Sequence, residues 1–384
     1  MTKFNLCIIA LLSLSLLGGC GSSSPESCLK KGLAEFEKKE YSAAISLLTK
    51  AAEKIQDSSE LYYALGLAHL HLGDTDKALD ALNKTIDLSP AHYEALICCG
   101  QIAYHQNELD SAQKYYLLAL KMAKDPRKRA VLFTSMALTE SGLKNKGLAR
   151  LYLIRALSCD RSYAPAYYNL GSLYRDKFGF IEESLKCFEQ FIEAADKSEL
   201  HYKKAGKNIK RLQKNIKRIA FRKNVNRDAP TAAKHLETGV IYQAQKKYRE
   251  AIKAFDAALS ADPQAFSAAY GRAVALEKLN SSRDAFKAFK KALEINPAHQ
   301  DCYSHAVILA LELKRYSEAT AILDRAIARN PYYASWYDLM TRVLHEQTKY
   351  VEARKYGEYY LTMLDPNDKG RAAYEKWVKG LPES

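Results

Sequence analysis

Residues 59–92 read SELYYALGLAHLHLGDTDKALDALNKTIDLSPAH, and this stretch decides the fold. Tyr62, Leu65 and Gly66 belong to one helical segment. Leu72-Gly73-Asp74 makes a short turn, Ala78, Leu82 and Ile86 step along a second segment, and Pro90 follows it. Two helices that cross closely need small side chains where their backbones approach, with large apolar residues filling the gaps around them. A proline after the second segment cannot continue it and starts the next turn. One such pair cannot bury its own apolar face, whereas stacked copies bury a continuous core.

The stretch recurs in phase, which is the most informative test a chain of this length allows. Ala44, Ala78 and Ala112 lie 34 apart, as do Ala251, Ala285, Ala319 and Ala353. Ala51, Ala119, Ala156, Ala258, Ala292 and Ala326 keep a second phase. Gly32, Gly66 and Gly100 repeat at 34, with Gly171 and Gly239 in the same role later, and Pro263, Pro297 and Pro331 match Pro90. Close copies of the unit run over 232–265, 266–299 and 300–333. Weaker ones run over 25–58, 93–126, 130–163, 164–198 and 334–367.

Position for position, this unit resembles the tetratricopeptide repeat (TPR). The resemblance covers nearly the whole chain after its first twenty residues. It implies an all-α fold, a right-handed α-solenoid of about nine helix hairpins. Departures from the repeat fall at Arg127-Lys128-Arg129, where three residues are extra, and at Lys177-Phe178-Gly179-Phe180, where one is. Lys369–Lys379, with Ala373, Tyr374, Trp377 and Val378, reads as a solvating C-terminal cap helix. The expected organisation is a signal peptide over 1–19, a tether over 20–26, five repeats over 27–198, a basic connecting helix over 199–231, four repeats over 232–367, and the cap and tail over 368–384.

The N-terminus has its own logic. Leu6–Leu17 is an apolar run with only Ser13 and Ser15 polar. It falls short of the roughly 20 residues a bilayer crossing needs and has the size of a signal-peptide core. It ends in Leu17-Gly18-Gly19-Cys20, which resembles the bacterial lipobox. The resemblance implies cleavage before Cys20, thioether lipidation of Cys20 and acylation of its new amine, with palmitate among the usual chains. Several acyl chains on one residue give stable anchoring. Gly21-Ser22-Ser23-Ser24-Pro25 then forms a polar tether. No Asp follows Cys20, as in lipoproteins sorted to the outer membrane. The expected location is the cell envelope, lipid-anchored at the outer membrane and facing the periplasm. Cys7 leaves with the signal. Cys28, Cys98, Cys99, Cys159, Cys187 and Cys302 have no zinc-type spacing and read as buried thiols.

Charge is concentrated in one place. The chain has 58 Lys and Arg against 44 Asp and Glu. Residues 21–198 balance at 23 of each sign, while 199–228 carry 11 basic and 2 acidic side chains. Within that segment Tyr202, Ala205, Ile209, Leu212, Ile216 and Ile219 step by three and four, one apolar stripe on a helix about 30 Å long. Lys203, Lys204, Lys207, Lys210, Arg211, Lys214, Lys217 and Arg218 fill its other faces. Such a helix bridges two arrays, and its charge is either simply solvated or offered to anionic lipid headgroups or to an acidic protein. Export removes nucleic acid from the set of partners.

Nothing in the chain reads as chemistry. It has no phosphate-binding glycine loop, no HExxH and no GxSxG, so no enzyme, cofactor or metal is expected. In proteins with this repeat the first helices line a concave groove. The corresponding residues here are Tyr63, Leu67 and Leu70, then Ile97, Gln101 and Tyr104, then Tyr168. In the second array they are Leu236, Val240, Gln243, Tyr270, Val274, Glu277 and Ile308. Only Asn169 matches the Lys and Asn clamp that some relatives use for acidic peptide termini. The groove is therefore expected to take an apolar peptide or helix, with its tyrosines as hot spots.

Overall fold

The computed structural model describes residues 24–223 and 227–382, without the side chains of 219–223. The lipobox residues Leu17, Gly18, Gly19 and Cys20 lie outside the described residues. Contacts divide the chain into two compact units, the first ending at Met122 and the second beginning at Ala123. The sequence reading drew its division through 199–231. The contacts instead group the fourth and fifth hairpins with those that follow.

The first unit holds three hairpins: α1 (Pro25–Glu37) with α2 (Tyr41–Ala52), α3 (Ser59–Leu72) with α4 (Thr75–Leu88), and α5 (Tyr93–His105) with α6 (Leu109–Met122). The second holds α7 (Pro126–Gly142) with α8 (Lys146–Cys159) and α9 (Ala164–Leu173) with α10 (Ile181–Ala194). After the single helix α11 (Tyr202–Lys223) come α12 (Ala229–Ala244) with α13 (Tyr248–Ala261), α14 (Phe266–Lys278) with α15 (Ser282–Ile295), α16 (Gln300–Glu312) with α17 (Tyr316–Arg329), and α18 (Ser335–Glu346) with α19 (Tyr350–Met363). Helix α20 (Arg371–Lys379) closes the series. The described residues thus form an all-α solenoid of nine hairpins with one extra helix and a C-terminal cap.

Small residues sit at the crossings, as the 34-residue phase requires. Ala44, Ala78, Ala112, Ala251, Ala285, Ala319 and Ala353 are all 0% exposed. A Cβ on Gly66 would meet Leu82 Cγ at 2.8 Å, and one on Gly239 would meet the Phe255 ring at 2.5 Å. A Cβ on Gly271 would meet the same ring at 2.6 Å from the other side, so Phe255 lies in a socket between two glycines. Each hairpin turn places one residue in the left-handed region: Lys39, Gly73, Asn107, Lys144, Lys246, Asn280, Lys314 and Thr348, with φ between 55° and 88°. Gly73 alone of these adopts that conformation without a Cβ penalty. The fifth hairpin differs. Its extra residue is absorbed by a π-helical turn over Tyr174–Phe178 that ends at Gly179, φ 70°. A single inserted residue widens a helix in this way.

The second unit does not run on as an open stack. Its array doubles back, so that second helices of late hairpins pack on second helices of early ones. Leu148, Leu151 and Ile154 of α8 share one core with Leu323, Ile327, Tyr356 and Tyr359 of α17 and α19. Helix α8 is accordingly buried nearly all round, over Leu148–Ile154, Ala156 and Leu157. Arg150 within it is fully buried. Its guanidinium lies 2.9 Å from the Asp324 carboxylate, donates at 2.9 Å to the Asp324 carbonyl and at 3.2 Å to the Tyr356 hydroxyl. Burial is the largest influence on the Arg150 pKa and lowers it, but the Asp324 charge together with Tyr356, Tyr174 and Tyr337 outweighs it and the net shift is upward. Lys355 reaches the buried Glu140 at 2.9 Å. Arg329 stands 2.7 Å from Glu183, an ion pair without hydrogen-bond alignment, and donates to Glu182. Phe178 and Phe180, presented by the π turn, lie under Arg150 and Arg325.

Candidate functional site

In the first unit α3 and α5 carry the expected groove residues. Tyr63 is half-buried, its ring 4.5 Å from that of His92. His92 Nδ1 accepts the Ala95 N–H at 3.2 Å and so caps α5. One side chain therefore both starts a helix and braces the tyrosine. Ile97, Gln101 and Tyr104 are half-buried on α5. Leu67 and Leu70 are only 6% and 8% exposed, packed with Cys98 and Ile102 in the seam between hairpins. They offer little surface to a ligand, because residues one turn along a first helix alternate between the groove and that seam.

The second unit repeats the tyrosine arrangement. Tyr270 is half-buried, with its ring 4.7 Å from His299, whose Nδ1 accepts the Cys302 N–H at 3.3 Å. Val274 and Leu236 are half-buried, whereas Ile308 and Val240 are 46% and 54% exposed. Glu277 and His305 close to 3.0 Å beside Tyr270, placing polar groups on an otherwise apolar face. The histidines escaped the sequence reading. Their signal was the tripeptide Pro-Ala-His at 90–92 and again at 297–299.

Tyr168 departs from expectation. It is 8% exposed, enclosed by Phe188, Phe191 and His201. The cover comes from α10 of its own hairpin and from His201 just before α11, and the repeat pattern could not supply the latter. Beside it a cavity of about 180 Å³ is lined by Leu138, Ser141, Asn169, Ser172, Asp176 and Lys177. Asp176 is engaged by Arg175 at 2.6 Å, and that hydrogen bond holds its carboxyl below the ordinary range. A second cleft of about 450 Å³ lies at the cap, between Arg342, Tyr360, Asp368, Tyr374 and Trp377.

Helix α11 packs its stripe on the fifth hairpin. Ala205 is 0% and Leu212 3% exposed, in a core with Tyr168, Phe188 and Phe191. It caps that hairpin, as α20 caps the ninth. Lys203, Lys204, Lys207, Lys210, Arg211, Lys214, Lys217 and Arg218 are all exposed. Lys207 and Lys214 each have four other cations one turn away, at i±3 and i±4. Spacing of 100° per residue puts the eight cations within an arc of about 140°, and the packed stripe from Tyr202 to Ile216 within about 80° on the opposite side. Asn208, Gln213 and Asn215 fall on the borders.

Among the described residues no group of three or more His, Cys, Asp or Glu is placed to hold a metal ion, and no helix is long and apolar enough to cross a membrane. None of the six described cysteines is in a disulfide.

Nested helix hairpins with small-residue crossings define a repeat scaffold, and comparison with known families gives the same class. Models described as tetratricopeptide repeat match residues 29–93, 63–128 and 236–299, residues 282–343, and residues 164–198. Together they span well over half of the sequence, and the chain belongs to the tetratricopeptide-repeat family. Proteins of this family generally mediate protein–protein interactions as scaffolds.

Among curated proteins, the chain is 29% identical over 157 residues to the "Probable UDP-N-acetylglucosamine--peptide N-acetylglucosaminyltransferase SPINDLY" of Hordeum vulgare, covering 39% of this chain and 16% of that one. It is 26% identical over 239 residues to the TPR repeat-containing protein MJ1428 of Methanocaldococcus jannaschii, covering 62% and 38%. The chain therefore spans well under half the length of either. Among solved structures, MamA from Desulfovibrio magneticus RS-1 is 17% identical, with 44% of this chain and 94% of that one covered at a TM-score of 0.41.

Proposed function

We propose that this protein is a non-catalytic scaffold, anchored at the cell envelope through lipid on Cys20, that holds protein partners on the open faces of its first helices. The observation that carries the reading is the paired design of Tyr63–His92 and Tyr270–His299. In both units a large aromatic side chain stands half-open and is held in place by a helix cap. A braced tyrosine offers wide contact area at small entropic cost, which suits a hot spot for an apolar peptide or helix. Ile97, Tyr104, Val274 and Ile308 extend the two faces.

Pulldown from envelope extracts with the chain and with a Tyr63→Ala/Tyr104→Ala/Tyr270→Ala variant tests the groove. Partners retained by the native chain are expected to be lost by the variant. Undiminished capture by the variant removes the groove from the reading. The anchor is tested separately by the mass of the N-terminal peptide from membrane-purified protein. Acyl mass on Cys20 is expected, and an unmodified Cys20 or an intact Met1 peptide refutes it. A second reading, contact of the basic helix with anionic lipid headgroups, is favoured by the exposure of all eight α11 cations.

A further inference from the structure

We infer that α11 meets an anionic membrane surface through its charges alone, lying flat against the headgroups without entering the acyl region. This rests on the headgroup reading and specifies its mode. A free amphipathic helix binds a bilayer by burying its apolar face, with charge as an addition. Over its described side chains helix α11 cannot do so while folded, because that face is already committed: Ala205 and Leu212 are buried, with Ile209 packed beside them, in a core with Phe188 and Phe191. The cationic arc lies opposite the packed stripe, with Arg211 at its edge near enough to Asp176 of the π turn to act on its charge. From Lys203 to Arg218 it extends about 22 Å at 1.5 Å per residue. No acidic residue interrupts it from Leu200 to Arg227. Among the described residues none of the eight cations forms an ion pair, although charged residues elsewhere in the unit pair freely, as at Arg272–Asp256 and Lys290–Glu318. A convex, one-signed ridge with no apolar component matches a plane of phosphates. A peptide partner would want a concave surface and some apolar area.

The test uses the chain from residue 20 onward carrying Cys20→Ser, so that neither acylation nor the apolar run of residues 6–17 can contribute, floated with vesicles of phosphatidylcholine alone or with added phosphatidylglycerol. Binding specific to the anionic vesicles is expected, falling about tenfold or more when salt is raised enough to shorten the screening length severalfold. A Lys203→Gln/Lys207→Gln/Lys210→Gln/Lys214→Gln variant is expected to lose at least as much with unchanged thermal unfolding. A fluorophore on Gln213→Cys is expected to escape quenching by nitroxides on the acyl chains. Salt-resistant binding with a quenched probe overturns the headgroup-only mode and leaves membrane contact standing. No preference for anionic vesicles overturns both. Binding to soluble polyphosphate or polyglutamate without vesicle binding overturns the assignment to lipid.

Discussion

Arg150→Met tests the doubling-back of the second unit directly. If α8 were the outer helix of an open stack, residue 150 would face water, and its replacement would change stability by no more than about 0.5 kcal/mol. In the observed packing Arg150 is fully buried against Asp324 and Tyr356. Removing one partner of a buried pair leaves the other charge uncompensated, which costs about 3–5 kcal/mol. For a unit of this size that corresponds to a fall of roughly 6–20 °C in Tm. Both tryptophans, Trp336 and Trp377, belong to this unit, so indole fluorescence during urea unfolding follows it selectively. Arg150→Met combined with Asp324→Leu is expected to regain most of the loss, because two apolar residues of similar size replace a buried pair at little cost. A single variant within 0.5 kcal/mol of the parent, or a double variant no better than the single, refutes the packing.

Thr348→Gly is expected to stabilise the second unit by about 0.5–1 kcal/mol, since a β-branched residue at φ 60° gives up a steric penalty larger than the added chain entropy; a lower urea midpoint refutes the strain. Gly239→Ala is expected to cost about 1–3 kcal/mol through overpacking against Phe255, read from the same unfolding curve. Burial pushes the thiols of Cys99, Cys187 and Cys302 up to about 12, so all three are expected to resist iodoacetamide at pH 8 until the chain unfolds. The same shift fixes a sign. Between the ordinary value of 9.0 and about 12 the unfolded chain ionises these thiols and the folded chain does not. Stability is therefore expected to be level below pH 9 and to fall as pH rises beyond it, and a urea midpoint that climbs between pH 8 and 10.5 contradicts this.

The hairpins were legible because a crossing point admits only a small side chain, and that constraint leaves a mark every 34 residues. The extra residue before Gly179 was legible too, though as a count; the π turn that absorbs it was not. The doubling-back was half written. Helix α8 reads GLARLYLIRAL without a polar face, which signals burial all round. Its cover lies on α17 and α19, and Arg150 bonds to Tyr356 across 206 positions, a pairing that periodicity does not encode. The groove was legible only in part. Tyr63, Tyr104, Tyr270 and Ile308 remain accessible, but Leu67 and Leu70 share their helix face with the next hairpin, and Tyr168 lies under its own α10 and under His201, which belongs to no repeat.

The cover of α8 arrives late in the life of each molecule. An ordinary repeat stack can fold as it emerges, each hairpin closing on the one before. Here one side of α8 waits until Tyr356 has emerged, 206 positions further along the chain. Throughout that interval a largely apolar helix rests on α7 and α9 alone, with its other side and the Arg150 guanidinium uncovered. The nascent chain is therefore most vulnerable to holdases, proteases and misassembly near its middle, well after its N-terminal hairpins are complete.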